Sequence, residues 1–141
     1  MHKDLTKILH KMDSVYERLA KSVGINFTTF CVLELLYEDG KIYTQKEICE
    51  KLGLPKQITN SIVKNYWEQG YLILQEAKDR RNKHITLTPA GRNHVQKLVS
   101  HMEAKEKTAW GSFTSEEIVL VIELLNKFTS ALENEIKEAI L

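Results

Sequence analysis

Lys56, Gln57, Asn60, Ser61 and Lys64 recur at intervals of one to four residues, and on a helix such spacing gathers side chains onto one face. All five are polar or cationic, with no carboxylate among them. Gln and Asn can each donate to and accept from adenine through paired hydrogen bonds, while Lys suits guanine or phosphate, so the row fits base edges in a major groove. Further along, Lys78-Asp79-Arg80-Arg81-Asn82-Lys83 crowds four cations around one carboxylate. Narrow minor grooves concentrate negative potential, and an arginine on a thin hairpin can enter them, so Arg81 is the candidate for insertion. Lys78, Arg80 and Lys83 are candidates for phosphate contacts, which position a protein without reading sequence.

Net charge is only +1, but its distribution is uneven. Residues 41–98 hold eleven Lys and Arg against five Asp and Glu, an excess of +6. Residues 1–40 carry −1 and residues 99–141 carry −4, so a basic block lies between neutral and acidic flanks. The 141 residues suit one domain, and 43% hydrophobic and 28% charged residues with six Gly and two Pro indicate a globular, helix-rich chain. The longest apolar run, Ile118 to Ile122, has five residues, whereas a membrane span needs about 20. The first residues, MHKDLTKILHKMDSVYERLAKS, lack the apolar core of a secretory signal, so a cytoplasmic protein with no membrane partner is expected.

Periodicity supplies the elements that would hold these clusters. Leu5, Ile8, Leu9, Met12, Val15, Tyr16 and Leu19 predict a first helix over residues 3–22. Asn26 caps a second, apolar on most sides, which Gly40 stops; Thr44 and Glu47 form a capping box for a short third helix ending at Gly53. Pro55 is expected at the first position of a fourth helix through Gln69, with Ile58, Ile62, Val63, Tyr66 and Trp67 facing inward. Short strands at Tyr71–Leu74 and Ile85–Thr88 flank the charged tip as a hairpin. Thr88-Pro89 opens a long fifth helix over residues 90–110, and a second capping box, Thr114 with Glu117, opens a last one. The fold class is mainly α with a small β-hairpin wing: a winged helix-turn-helix plus a terminal-helix dimerisation region.

A helix-turn-helix needs a small residue where its helices touch and a turn residue four later, and Cys49 with Gly53 meets that demand. The chain resembles the MarR family of transcriptional regulators over nearly its whole length. The resemblance rests on Leu54-Pro55-Lys56-Gln57-Ile58-Thr59, Glu68-Gln69-Gly70-Tyr71-Leu72, Asp79-Arg80-Arg81-Asn82-Lys83 and Ile85-Thr86-Leu87-Thr88-Pro89-Ala90-Gly91-Arg92. It implies a single MarR-like unit over residues 1–141. Within it, residues 26–88 form the DNA-binding region, and residues 1–25 and 89–141 form a helical dimerisation region. It further implies that Asp79 braces the wing, that Arg81 reaches a minor groove, and that small aromatic effectors bind where the first, second and fifth helices meet. Arg80 stands where the family commonly has proline.

The remaining reactive residues keep two readings each. Cys31 and Cys49 are structural thiols or redox sensors; the peroxide-sensing position of the family lies in the first helix, which here has no Cys. His94 and His101, two helical turns apart, are wider than the three- or four-residue spacing of paired metal ligands, and no metal or cofactor is expected. Tyr16, Phe27, Phe30 and Tyr37 pack in the core or line an effector pocket. No nucleophile and base can be paired, so an enzyme is not expected.

The chain therefore reads as a homodimer that binds a pseudo-palindromic double-stranded DNA operator and acts as a repressor released by an effector or oxidant. The alternative is a winged-helix protein-interaction module without DNA binding, which calls for an apolar or acidic fourth helix. Leu5, Ile8, Leu9 and Met12 at one end, and Phe128, Leu132, Ile136, Ala139, Ile140 and Leu141 at the other, are the expected dimer contacts.

Overall fold

The computed structural model describes residues 2–39, 41–76 and 82–140, and the chain falls into two compact units, Met1–Glu103 and Ala104–Leu141. In the first unit, helix α1 (His2–Lys21) leads into α2 (Phe27–Tyr37). Two bonds fix that junction. Asn26 caps α2 by accepting from the Thr29 N–H at 2.8 Å, and the Glu17 carboxylate accepts from the Phe27 N–H at 3.1 Å. These occupy amide donors that a helix start leaves without intrahelical partners. Apolar on most sides, α2 forms the centre of the core: Phe30, Val32, Leu33, Leu35 and Leu36 are all buried. Gly40, expected to stop it, lies outside the described residues.

Thr44 caps α3 (Gln45–Leu52), accepting from the Glu47 N–H at 3.2 Å. Gly53 ends it in the left-handed conformation, φ 63°, where a side chain would be strained. Helix α4 (Lys56–Glu68) departs from expectation twice. Pro55 is its N-cap rather than its first residue: its φ of −61° suits the ring in either place, but ψ is extended at 143°. The buried stripe is Thr59, Val63 and Tyr66, with Ile62 half-buried, while Ile58 and Trp67 are 45% and 51% exposed. Thr59 can lie fully buried because its hydroxyl donates to the Pro55 carbonyl, so the stripe follows helical phase rather than side-chain polarity.

Strands β2 (Leu72–Glu76) and β3 (Lys83–Leu87) form the expected hairpin, shifted by one or two residues. A third strand, β1 (Tyr43–Thr44), pairs antiparallel with β3 through Tyr43 opposite Ile85, giving the order β1-β3-β2. Two residues carry no period that a sequence reading can detect. Thr88 joins the sheet to α5 (Pro89–Ala109): its hydroxyl accepts from the Gly91 N–H at 2.9 Å and donates to the Gly70 carbonyl at 2.8 Å. From α5, Val95, Leu98, Val99 and Met102 close the core.

In the second unit a 3-10 turn (Trp110–Ser112) precedes α6 (Ser115–Ile140). The capping box there is reciprocal, the Thr114 N–H donating to the Glu117 carboxylate at 2.8 Å and the Glu117 N–H to the Thr114 hydroxyl at 3.1 Å. No described residue of α6 is buried; Leu125, Phe128, Leu132 and Ile136 are 41–52% exposed. The side chains of Ala139, Ile140 and Leu141 lie outside the described residues. Among the described residues no helix is long and apolar enough to cross a membrane.

Candidate nucleic-acid interface

Five side chains that the spacing groups together, Lys56, Gln57, Asn60, Ser61 and Lys64, are all exposed on α4, opposite the stripe of Thr59, Val63 and Tyr66. The helix is anchored from behind. The Tyr66 ring lies 6.0 Å from Tyr71 and 6.2 Å from His94, and burial, then the neighbouring Tyr71, pushes its phenol above the usual range. At the turn before α4, the Leu54 N–H donates to the Cys49 carbonyl at 3.0 Å, so the contact residue and the turn glycine act together. A helix so backed presents its polar row as a fixed surface.

The cations divide into two groups. Lys41 pairs with Glu38 at 3.1 Å, Lys46 with Glu50 at 3.9 Å and Arg92 with Asp39 at 3.3 Å. The Glu38 carboxyl is held below its ordinary value, first by the Lys41 hydrogen bond, with Tyr43 also donating to it. Among the described residues Lys56, Lys64 and Lys83 form no ion pair. Lys51 on α3 and Lys97 on α5 also form none, so of the five unpaired cations among the described residues of the basic block, three lie on α4 and at the base of the wing.

Grooves flank α4 on both sides. One, about 390 Å³, is lined by Gln45, Asn60, Val63, Lys64, Trp67, Leu74, Lys83 and Ile85. The other, about 650 Å³, is lined by residues that include Lys21, Asn26, Thr29, Ser61 and Asn65. Lys83 begins β3 beside the first groove; the wing-tip candidates Lys78, Asp79, Arg80 and Arg81 lie outside the described residues. Trp67 was not among the sequence candidates. Its signal was there, three residues beyond Lys64 and seven beyond Asn60, in phase with the polar row.

The effector candidates are only partly brought together. Tyr16 stacks on Phe27 at 4.7 Å and Phe27 on Phe30 at 6.2 Å, with Phe30 only 2% exposed. Tyr37 instead lies under the Arg92 guanidinium, 5.0 Å from its ring. Of the four, Tyr16 lines a cavity of about 230 Å³ with Ile8, Lys11, Met12 and Val15, all of α1. Cys31 on α2 and Cys49 on α3 are half-buried and joined in no disulfide. His94 stacks on Tyr71 at 4.6 Å, and His101 meets the Ser22 hydroxyl at 3.3 Å.

Comparison with known proteins decides the family. The model of the MarR family matches residues 23–82. The Escherichia coli HTH-type transcriptional regulator PrsX is 30% identical over 82% of this chain and 69% of its own. The chain belongs to the MarR family. Among solved structures, the MarR-family regulator NMB1585 from Neisseria meningitidis is 26% identical, with a TM-score of 0.86 over 96% of both chains. Bordetella bronchiseptica BpsR, whose DNA binding is regulated by 6-hydroxynicotinic acid, shares the fold at 19% identity, TM-score 0.73, over 92% of each chain. The α3–α4 pair and three-stranded sheet of this MarR-family chain are thus its winged helix-turn-helix, with α4 the second helix of the motif.

Proposed function

We propose that this MarR-family protein is a cytoplasmic homodimer that binds a pseudo-palindromic duplex operator and represses transcription until a small aromatic effector, or an oxidant acting at Cys31 or Cys49, releases it. One observation carries the reading: an exposed row of amides and amines on a helix backed by a buried stripe. The first turns of a recognition helix meet base edges, so Gln57 and Asn60 read sequence while Lys56 and Lys64 reach guanine or phosphate. Arg81 enters the adjoining minor groove, with Asp79 bracing the tip. An aromatic effector would follow the precedent of BpsR.

The test is selection of bound duplexes from a random-sequence library of about 30 base pairs, long enough for two half-sites about 34 Å apart. Titration of the full chain at one fixed salt concentration then compares selected and unselected duplexes. A selected duplex bound roughly a thousandfold tighter or more supports sequence-specific regulation, and enrichment of inverted half-sites supports the dimer. Equal affinity for both duplexes overturns it.

A further inference from the structure

Trp67 is half exposed on α4, one turn beyond Lys64 and two beyond Asn60, about 10 Å along the helix from the latter. Nothing in the core claims it. Its surroundings do not fit a protein contact either, because the cores of protein–protein interfaces are depleted of lysine and this ring shares its groove with Lys64 and Lys83. Val63, Leu74 and Ile85 supply the apolar part of the lining, and among the described residues no carboxylate contributes to it. Glu76 stands across the ladder from Lys83 but forms no ion pair with it. An apolar floor edged by two cations that form no ion pair among the described residues, within a block of net +6, calls for an anionic ligand with an apolar face.

We propose that this groove seats the sugar–phosphate backbone of the bound duplex, with Trp67 as a backbone anchor. The proposal rests on the DNA-binding reading and extends it to a residue outside the reading row. With the start of α4 in the major groove, its later turns face the groove's edge, where a backbone strand runs. Lys64 and Lys83 neutralise phosphates from the two sides, the indole packs on a deoxyribose, and its Nε1–H donates to a phosphate oxygen. Such contacts carry no sequence information. They fix how far the helix enters and leave discrimination to Gln57 and Asn60.

The test uses the full chain with Trp110→Phe, which makes Trp67 the sole tryptophan, and titrates it with a selected and an unrelated duplex between about 50 and 200 mM salt. Trp67 emission is expected to change with both duplexes. Trp67→Ala should weaken both by a similar factor, roughly tenfold, as fits loss of a hydrogen bond to a charged acceptor, with Trp67→Phe between the two. Lys83→Ala should lower the salt slope by about one. Unchanged emission together with undiminished affinity of Trp67→Phe, while the parent still binds DNA, overturns the anchor and leaves the DNA reading standing. A loss confined to the selected duplex overturns it too, since that marks a base contact. Absence of binding to any duplex overturns both.

Discussion

Gly91 stands so close to Tyr71 that a Cβ on the glycine would lie 2.1 Å from the Tyr71 carbonyl oxygen. That carbonyl also accepts from the Thr88 N–H at 3.0 Å, so it cannot swing aside without breaking a bond that holds the sheet to α5. Gly91→Ala should therefore lower stability by about 2–3 kcal/mol in urea unfolding. Gly111→Ala is the control: its Cβ would meet nothing within 4 Å, and a change of under about 0.5 kcal/mol is expected. Similar midpoints for the two variants would mean that the start of α5 shifts freely.

Base discrimination should depend on Gln57 and Asn60, both exposed on α4. Alanine at either should relax preference at particular base pairs by about 1–3 kcal/mol per lost paired contact. Thermal stability should change little, because neither side chain is buried. A base-substitution series giving the same preferences for both variants and the parent would remove these residues from the reading surface.

What could be read beforehand was chiefly the local chemistry. Asn26, Thr44, Thr88 and Thr114 each accept from an amide three residues on, a bond that depends only on residue type and spacing. The phase of α4 was harder, because apolar character placed Ile58 and Trp67 inside, whereas the core took Thr59, whose hydroxyl is satisfied within its own helix. Strand β1 is specified by its partner Ile85 and Tyr37 by Arg92, both far along the chain, and no local pattern carries such pairings. The polar row of α4 was legible because a face left exposed to solvent keeps its composition visible.

For the wing, Arg81→Ala should weaken binding to the selected duplex by about 1–3 kcal/mol and lower the salt slope by about one. Asp79→Ala should weaken binding without lowering that slope, since removing a carboxylate takes no cation from the phosphates. Wild-type affinity and slope for Arg81→Ala would exclude the tip from the interface.

Association should reside in the exposed apolar faces of the terminal helices. On α6, Leu125, Phe128, Leu132 and Ile136 recur at three- and four-residue spacing, each at least 41% exposed. On α1, Ile8, Leu9, Met12 and Val15 are at least 44% exposed. Apolar rows of that length are more than a lone chain normally shows to water, and a second copy offers a matching row by symmetry. Phe128→Glu alters a side chain that no core requires, so it should spare the fold of the single chain while placing a charge in the contact. Light scattering should report a dimer for the parent and a monomer for the variant at micromolar concentration. Specific DNA binding should fall with it, because one recognition helix alone meets only one half-site. A chain ending at Asn126 should lose dimerisation and specific binding together. A parent that scatters as a folded monomer, and fills each half-site independently, would remove the twofold geometry and with it any control of DNA binding through the spacing of the two α4 helices.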